Sequence, residues 1–412
     1  MMKLGKLIGD IKYTKELGLL LTIGGLYSLS VALSNTFVNI FLWKQSGEFK
    51  DLGLYNMAII VFQLITFTLA GRWAKKIDRV IVFRIGVIFL AMFYLTVLFI
   101  GDNASTFLLL LGCLLGIGNG FYWLAFNVLT FEVTEPDTRD FFNGFLGILG
   151  SVAGMVGPML AGYIISTLTK TTGYTIIFGI SLGLFSLAVV LSFFQKRRPA
   201  SGQYLLKRII KERKNDINWK LITNAHFFQG MREGTYAFVI TVFVFIATGS
   251  EMALGTFGLI NSGISFVAYY IVSRSIKNER RTKSILVGGI LLFLSIFIIV
   301  FDFSYIRLLI YSGIIAIAYP LILVPYTSLT YDVIGRGWNA GEMRIEYIVV
   351  RELYLNFGRL VSVLIFIAGV MIFNPEKSIP VMLFILGCGH SVIYFFTRKI
   401  KLSPAPRLHG QE

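Results

Sequence analysis

Twelve long apolar runs, separated by short polar or basic stretches, set the rhythm of this chain. The first six fall roughly at Gly18–Leu42, Leu52–Trp73, Val80–Ile100, Thr106–Glu132, Phe141–Leu168 and Tyr174–Phe194. The second six fall roughly at Trp219–Ala247, Met252–Ser273, Ser284–Phe301, Ile306–Asp332, Tyr347–Phe373 and Ile379–Phe396. A helix needs roughly 20 mostly apolar residues to cross a hydrocarbon core of about 30 Å. Backbone groups in lipid find no water, so runs of this length predict helices whose hydrogen bonds close internally. No segment of about ten residues alternates as a barrel strand would. The pattern therefore predicts an all-α membrane protein of twelve spans. The first run follows a basic, polar stretch ending at Glu16. It is too long for a signal-peptide core and has no cleavage site of small residues, so it is expected to stay as a span.

Composition agrees: 56% of residues are hydrophobic and only 15% charged, well below the charge of a soluble domain. The formal charge of +16 would suit nucleic acid, but its placement argues against that partner. Of 38 Lys and Arg, 29 lie in alternate connections: Lys3–Lys15, Arg72–Arg79, Arg139, Lys196–Lys220, Arg274–Lys283, Arg336–Arg344 and the tail. The opposite connections hold five: Lys44, Lys50, Lys170, Arg307 and Lys377. By the positive-inside rule both termini are expected in the cytoplasm, with the lipid bilayer of a bacterial cytoplasmic membrane around the spans. The longest connection, Gln195–Lys220, contains Leu205–Lys220, which reads either as a basic amphipathic helix on the anionic inner leaflet or as a solvated linker. Cys113 and Cys388 both lie within apolar runs, as small core residues do.

The chain repeats itself. A shift of 202 positions pairs Gly47 with Gly249, Leu52 with Leu254, Gly53 with Gly255 and Tyr55 with Phe257. The same shift pairs Arg72 with Arg274, Lys75 with Lys277, Arg79 with Arg281 and Gly86 with Gly288. A shift of 200 pairs Leu129-Thr130-Phe131-Glu132-Val133 with Leu329-Thr330-Tyr331-Asp332-Val333. Parallel halves of six spans are one transporter plan, with the substrate site between them near the midplane. The expected organisation is a six-helix unit over 1–195, a basic linker over 196–218 and a second six-helix unit over 219–412.

With these features the chain resembles the major facilitator superfamily over essentially its whole length. Three local patterns carry the resemblance. Between spans two and three the family has a Gly, an Asp four residues on, and basic residues. Here Gly71, Lys75, Asp78 and Arg79 stand in that stretch, with Lys75 in place of the Asp and Asp78 displaced. The second half repeats the departure with Ser273, Arg274 and Lys277, which puts the usual gate salt bridge in question. Glu132, followed by Arg139 seven residues later, resembles a Glu-x6-Arg pair after span four, and Asp332 is its twin. These residues are the expected cytoplasmic gate, against the plainer account of interfacial carboxylates. In span five, Gly154, Gly157, Pro158 and Gly162 resemble a Gly-Pro pattern of exporters, although small residues at such spacing also serve close helix packing.

Ionisable residues inside spans are expensive and tend to face a cavity or one another. Arg232 and Glu233 lie about a dozen residues into span seven, roughly 18 Å deep at 1.5 Å per residue. Span eleven carries Glu346, Arg351, Glu352 and Arg359; Glu352 and Arg359 are seven apart and share a helical face. At the repeat equivalents of Arg232, Glu233 and Arg359 the first half has Ser30, Val31 and Pro158, so the chemistry is expected in the second half. A proton on Glu233 or Glu352, with Arg232 or Arg359 tuning it or binding substrate, is one reading. The other is a pair of structural ion pairs, Arg232 with Glu352 and Glu233 with Arg359. Asn35, Asn39, Gln63, Asn119, Trp123 and Asn127 form the expected first-half wall, and the resemblance, which turns spans one, four, seven and ten inward, places the shared face of Asn119, Trp123 and Asn127 on the cavity. His226 is expected to be a hydrogen-bonded structural residue.

No phosphate loop and no His-rich metal centre is present, so neither ATP-driven transport nor metal catalysis is expected, and no cofactor. The expected activity is secondary active transport of a small-molecule substrate by alternating access, not enzymatic catalysis, by a monomer. Proton-coupled export is the first expectation. Proton-coupled uptake, lipid or anion translocation, and a non-transporting sensor are the alternatives.

Overall fold

The computed structural model describes residues 15–133, 139–168, 170–196 and 202–402, and it is helical throughout its long elements. Twelve helices are long and apolar enough to cross a membrane. The first six are α1 (Lys15–Ser46), α2 (Phe49–Lys76), α3 (Arg79–Ile100), α4 (Leu108–Val133), α5 (Arg139–Thr167) and α6 (Lys170–Ser192). The second six are α7 (Ile217–Thr248), α8 (Glu251–Ser275), α9 (Arg281–Ile299), α10 (Tyr305–Gly335), α11 (Ala340–Ile372) and α12 (Pro375–Thr397).

Short polar side chains start several of these helices. Asp78 accepts from the Val80 amide at 2.6 Å to open α3, and Asp216 accepts from Asn218 and Trp219 to open α7. Such caps satisfy amides that have no intrahelical partner. Ser250 does the same for α8. The paired glycines Gly47 and Gly249 end their helices with φ of 67° and 62°, a left-handed turn that a Cβ would strain.

The sequence repeat has a structural counterpart. Gly86 lets α3 lie on the Tyr122 backbone of α4, and Gly288 lets α9 lie on the Ala318 carbonyl of α10. Across the middle of the molecule α2 packs on α11 and α5 packs on α8. Those two contacts exchange under a shift of six spans, as a twofold between parallel halves requires. Gly157 abuts the Ala32 backbone of α1, and Gly162 abuts the Glu251 carbonyl of α8 at a notional Cβ distance of 2.7 Å. Gly154 meets Ser262, and the Pro158 carbonyl lies against Gly255. The small residues of α5 thus serve close approach of neighbouring helices.

Two boundaries differ from expectation. Helix α11 starts at Ala340, seven residues before the expected start at Tyr347, and its first turns already bury Met343, Ile345 and Glu346. The basic run Leu205–Lys220 is not one helix: Leu206–Glu212 forms a short helix, and Asp216 caps a new one. The short helix buries Ile209 and Glu212, and Trp219 donates to the Ile209 carbonyl at 3.1 Å. Large apolar side chains such as Leu69, Phe99, Val190 and Phe301 lie exposed on the outside, as a lipid-facing surface requires.

Candidate functional site

Two cavities lie along the axis between the halves. The larger, about 480 Å³, takes Asn35, Asn56, Gln63, Asn119 and Trp123 from α1, α2 and α4. From α7, α10 and α11 it takes Arg232, Glu233, Tyr236, Tyr311, Tyr319 and Arg359. The smaller, about 410 Å³, lies toward the end that carries the basic connections, and Tyr27, Gln229 and Tyr269 line it. Trp123 and Glu233 line both.

On the first-half wall, the Tyr27 hydroxyl accepts from Trp123 Nε1 at 3.0 Å and donates to Asn119 Oδ1 at 3.1 Å. Two expected wall residues stand elsewhere. Asn39 accepts from Asn56 at 3.1 Å and turns toward α2, because it lies a turn beyond Asn35 along α1. Asn127 lies nearer the basic end and donates to Glu352 at 3.4 Å.

The charges of α7 and α11 pair only partly as expected. Arg359 Nη2 meets Glu233 Oε2 at 2.6 Å, and Gln229 donates to the other Glu233 oxygen at 2.8 Å. His390 of α12 lies 4.0 Å from that oxygen. The proposed Arg232–Glu352 pair does not form, because the two side chains leave their helices in different directions. Arg232 points to α10, where the Tyr311 and Tyr319 hydroxyls accept at 3.2 and 3.3 Å, and its guanidinium lies 4.4 Å from the Tyr236 ring centre. Glu352 points to α4 and accepts from Arg351 beside it in the chain. His226 is held by Gln229 and Thr330 at 2.9 and 3.2 Å.

Sequence reasoning missed Tyr27, Tyr236, Tyr311 and Tyr319, because a tyrosine within an apolar run reads as core. The available signal was the hydroxyl, which needs a partner once buried.

At the basic end, Lys75 of α2 meets Glu346 of α11 at 2.5 Å, with side chains 1% and 0% exposed. The Leu205 amide of the linker donates to the same Glu346 oxygen at 3.1 Å. Gly71 leaves room for the Tyr204 hydroxyl and Val349, each 2.6–2.7 Å from where a Cβ would stand. Burial, with Glu346 adding to it, pushes the Tyr204 hydroxyl well above its ordinary range, so it stays a donor and bonds the Thr68 carbonyl at 3.3 Å. Lys75 thus makes an ion pair of its own where the family's Asp is missing. Arg79 meets Glu132 at 2.5 Å, Arg344 of α11 approaches Glu132 at 3.7 Å, and the twin Arg281 meets Asp332 at 2.6 Å. Asp78 serves as the α3 cap. The Arg139 side chain lies outside the described residues. At the opposite end Lys44 of α1 pairs with Glu251 of α8, and Tyr174 donates to the same carboxylate at 3.3 Å. Ion pairs therefore bridge the halves at both ends of the cavities.

The family profile of the Major Facilitator Superfamily matches residues 17–341. The chain belongs to the major facilitator superfamily. Relatives of this member are bacterial. It is 61% identical over 401 residues to the uncharacterized protein YqgE of Bacillus subtilis (strain 168), covering 97% of this chain and 93% of that one. A Geobacillus stearothermophilus protein encoded in the sodM 3' region is 62% identical over 173 residues, 42% of this chain and 81% of that one. Among solved structures, the human organic anion transporter MFSD10 superposes with a TM-score of 0.71 at 12% identity, covering 92% of this chain and 98% of that chain. The E. coli fucose:proton symporter superposes at 0.65 and 14%, covering 93% and 97%. A bacterial homologue of the iron transporter ferroportin, in its outward-facing state, superposes at 0.67 and 13%, covering 94% and 99%. At such identities the likeness is one of fold. This superfamily member is thus a multi-pass bacterial membrane protein of twelve helices in two six-helix bundles, and the family's activity is solute transport.

Proposed function

We propose that the protein is a proton-coupled transporter of the cytoplasmic membrane, with Glu233 as its proton carrier. One observation carries this: Glu233 lines both cavities, one toward each face. A carrier must meet the proton from one side and release it to the other, and a carboxylate at the constriction is placed for both. Its partner is already present. Arg359 donates two hydrogen bonds to one Glu233 oxygen, and a proton on the carboxylate frees the guanidinium to face the cavity. The excess of Lys and Arg in these connections supports a cytoplasmic basic end, which makes Lys75–Glu346 and Arg79–Glu132–Arg344 the inner gate in this reading.

Solute seated across the cavity touches Asn119 and Trp123 of one half and Arg232 and Arg359 of the other, so its arrival favours closure of the two halves around it. Uptake by symport is the mode this arrangement favours, since Arg232 places solute next to the proton carrier. Export by antiport is the second reading, supported by the Gly-Pro pattern of α5.

The test uses proteoliposomes carrying a pH-sensitive dye in the lumen. Organic anions, sugars, amino acids and lipophilic cations are added outside, one class at a time. Lumen acidification with one class, absent in Glu233→Gln, supports symport. Dissipation of an imposed acid-inside gradient by one class supports antiport. Proton flux with no class overturns proton coupling, and a Glu233→Gln protein that moves protons as the wild type does removes Glu233 from the role. Loss of folded Glu233→Gln protein assigns the Glu233–Arg359 pair to structure instead.

A further inference from the structure

Arg232 is 1% exposed, lines the larger cavity and has no carboxylate partner among the described residues. Its hydrogen bonds go to two neutral phenols, its third neighbour is a neutral ring, and its Nε has no hydrogen bond. The other deep charges are matched: Glu233 with Arg359, and Glu352 with Arg351. One positive charge is therefore left over in a region shielded from water. A buried guanidinium without a counter-charge is strongly unfavourable, and the cavity it lines is where the missing charge fits.

We propose that the transported solute is a small organic monoanion, a carboxylate, whose charged end pairs with Arg232. This rests on the transport reading above. The guanidinium fork matches a carboxylate in two parallel hydrogen bonds, and its buried Nε makes no hydrogen bond within the protein. A single negative charge cancels the single excess positive one, whereas a doubly charged phosphate ester would overshoot it. The space, about 480 Å³, is within the range of small-molecule pockets and far above what one inorganic ion needs. The body of the solute lies against the Trp123 ring and the amides of Asn56, Gln63 and Asn119. A cationic solute would meet the unmatched charge of Arg232 and be rejected.

The arrangement also links solute to proton. Glu233 is faced by Arg232 of its own helix, Tyr319 and Tyr326 of α10, Arg359 of α11 and His390 of α12, and Tyr269 of α8 shares its smaller cavity. A carboxylate arriving at Arg232 sets a second negative charge beside Glu233, so the anion and a proton on Glu233 bind cooperatively and travel together.

The test reads equilibrium binding on the purified full-length protein, by thermal stabilisation and tryptophan quenching. The probes are benzoate, cyclohexanecarboxylate and gluconate, with benzamide, phenyltrimethylammonium and inorganic phosphate as comparisons. At least one carboxylate should stabilise saturably, more tightly at about pH 6 than at about pH 8, and the comparisons should not. Arg232→Gln should weaken that binding about tenfold or more, and Arg232→Lys less. Should Arg232→Gln not fold, Tyr319→Phe, which keeps the charge but removes one hydroxyl that holds it, should weaken binding several-fold. Equal binding of benzamide or phenyltrimethylammonium overturns the proposal, as does stabilisation by phosphate alone, by no carboxylate, or undiminished binding in the variants. Carboxylate binding without proton flux in proteoliposomes removes the transport reading and leaves the anion site. Proton flux driven by a neutral or cationic solute does the reverse.

Discussion

Lys75 on α2 and Glu346 on α11, 271 residues apart in the chain, form a buried ion pair at 2.5 Å across the two halves. The pair sits where the superfamily pattern has an Asp in the position of Lys75. Charge of the opposite sign is answered by a carboxylate from the facing helix, and the Leu205 amide of the linker adds a third member. The basic end is therefore held by α2, α11 and the linker together. Removing one partner of a buried pair costs about 3–5 kcal/mol. Lys75→Ala and Glu346→Ala should each lower the melting temperature by several degrees. The exchange Lys75→Glu with Glu346→Lys should recover only part of the loss, because a lysine cannot accept from the Leu205 amide. Full recovery, or two silent single variants, would show that the pair does not hold this end.

Glu132 and Asp332 are repeat twins. Asp332 meets Arg281, and Glu132 meets Arg79 and approaches Arg344 of the other half. Glu132→Gln should therefore loosen the basic end. In a protein lacking Cys113 and Cys388, a cysteine introduced at Leu146 in the inner cavity reports this. Its reaction with an impermeant thiol reagent should quicken several-fold in Glu132→Gln, and an unchanged rate would show that Glu132 does not hold this end.

Helices α7 and α11 touch backbone to backbone through glycine. A Cβ at Gly358 would run into the Phe227 carbonyl, whereas one at Gly150 of α5 meets nothing within 4 Å. Overpacking typically costs about 1–3 kcal/mol, and more where backbone cannot turn aside. Gly358→Ala should lower yield and melting temperature sharply. Gly150→Ala should be neutral or stabilise by up to about 1 kcal/mol, from helix propensity alone. Parallel unfolding curves for the two proteins decide the matter.

The Tyr27 hydroxyl links Trp123 to Asn119 on the cavity wall. Tyr27→Phe leaves an indole N–H and an amide oxygen without their partner, at a cost of about 1–3 kcal/mol for buried groups. Solute affinity should fall about three- to tenfold, with the melting temperature changed by only a few degrees. An unchanged affinity would remove Trp123 from the binding surface.

Span number, helix type and the internal repeat could all be read along the chain, because each is a local property. Twenty apolar residues in lipid have one way to satisfy their backbone, and repeated residues keep their spacing whatever they later touch. The depth of Arg232, Glu233 and Arg359 followed from the rise of a helix, and so did their candidacy. Which partner each took did not. Both pairings of α7 with α11 were consistent with spacing, and only the packing of α10 against α7 gave Arg232 two tyrosines in place of a carboxylate.

The sequence by itself determined a twelve-span, duplicated membrane protein with ionisable groups concentrated at mid-depth in its second half. The tertiary structure alone decided that Lys75 finds Glu346, that Asn39 and Asn127 leave the cavity wall, and that Glu233 faces both cavities. The reason is physical: periodicity fixes the face of a helix on which a side chain lies, but its partner depends on how other helices, hundreds of residues away, rotate and cross against that face.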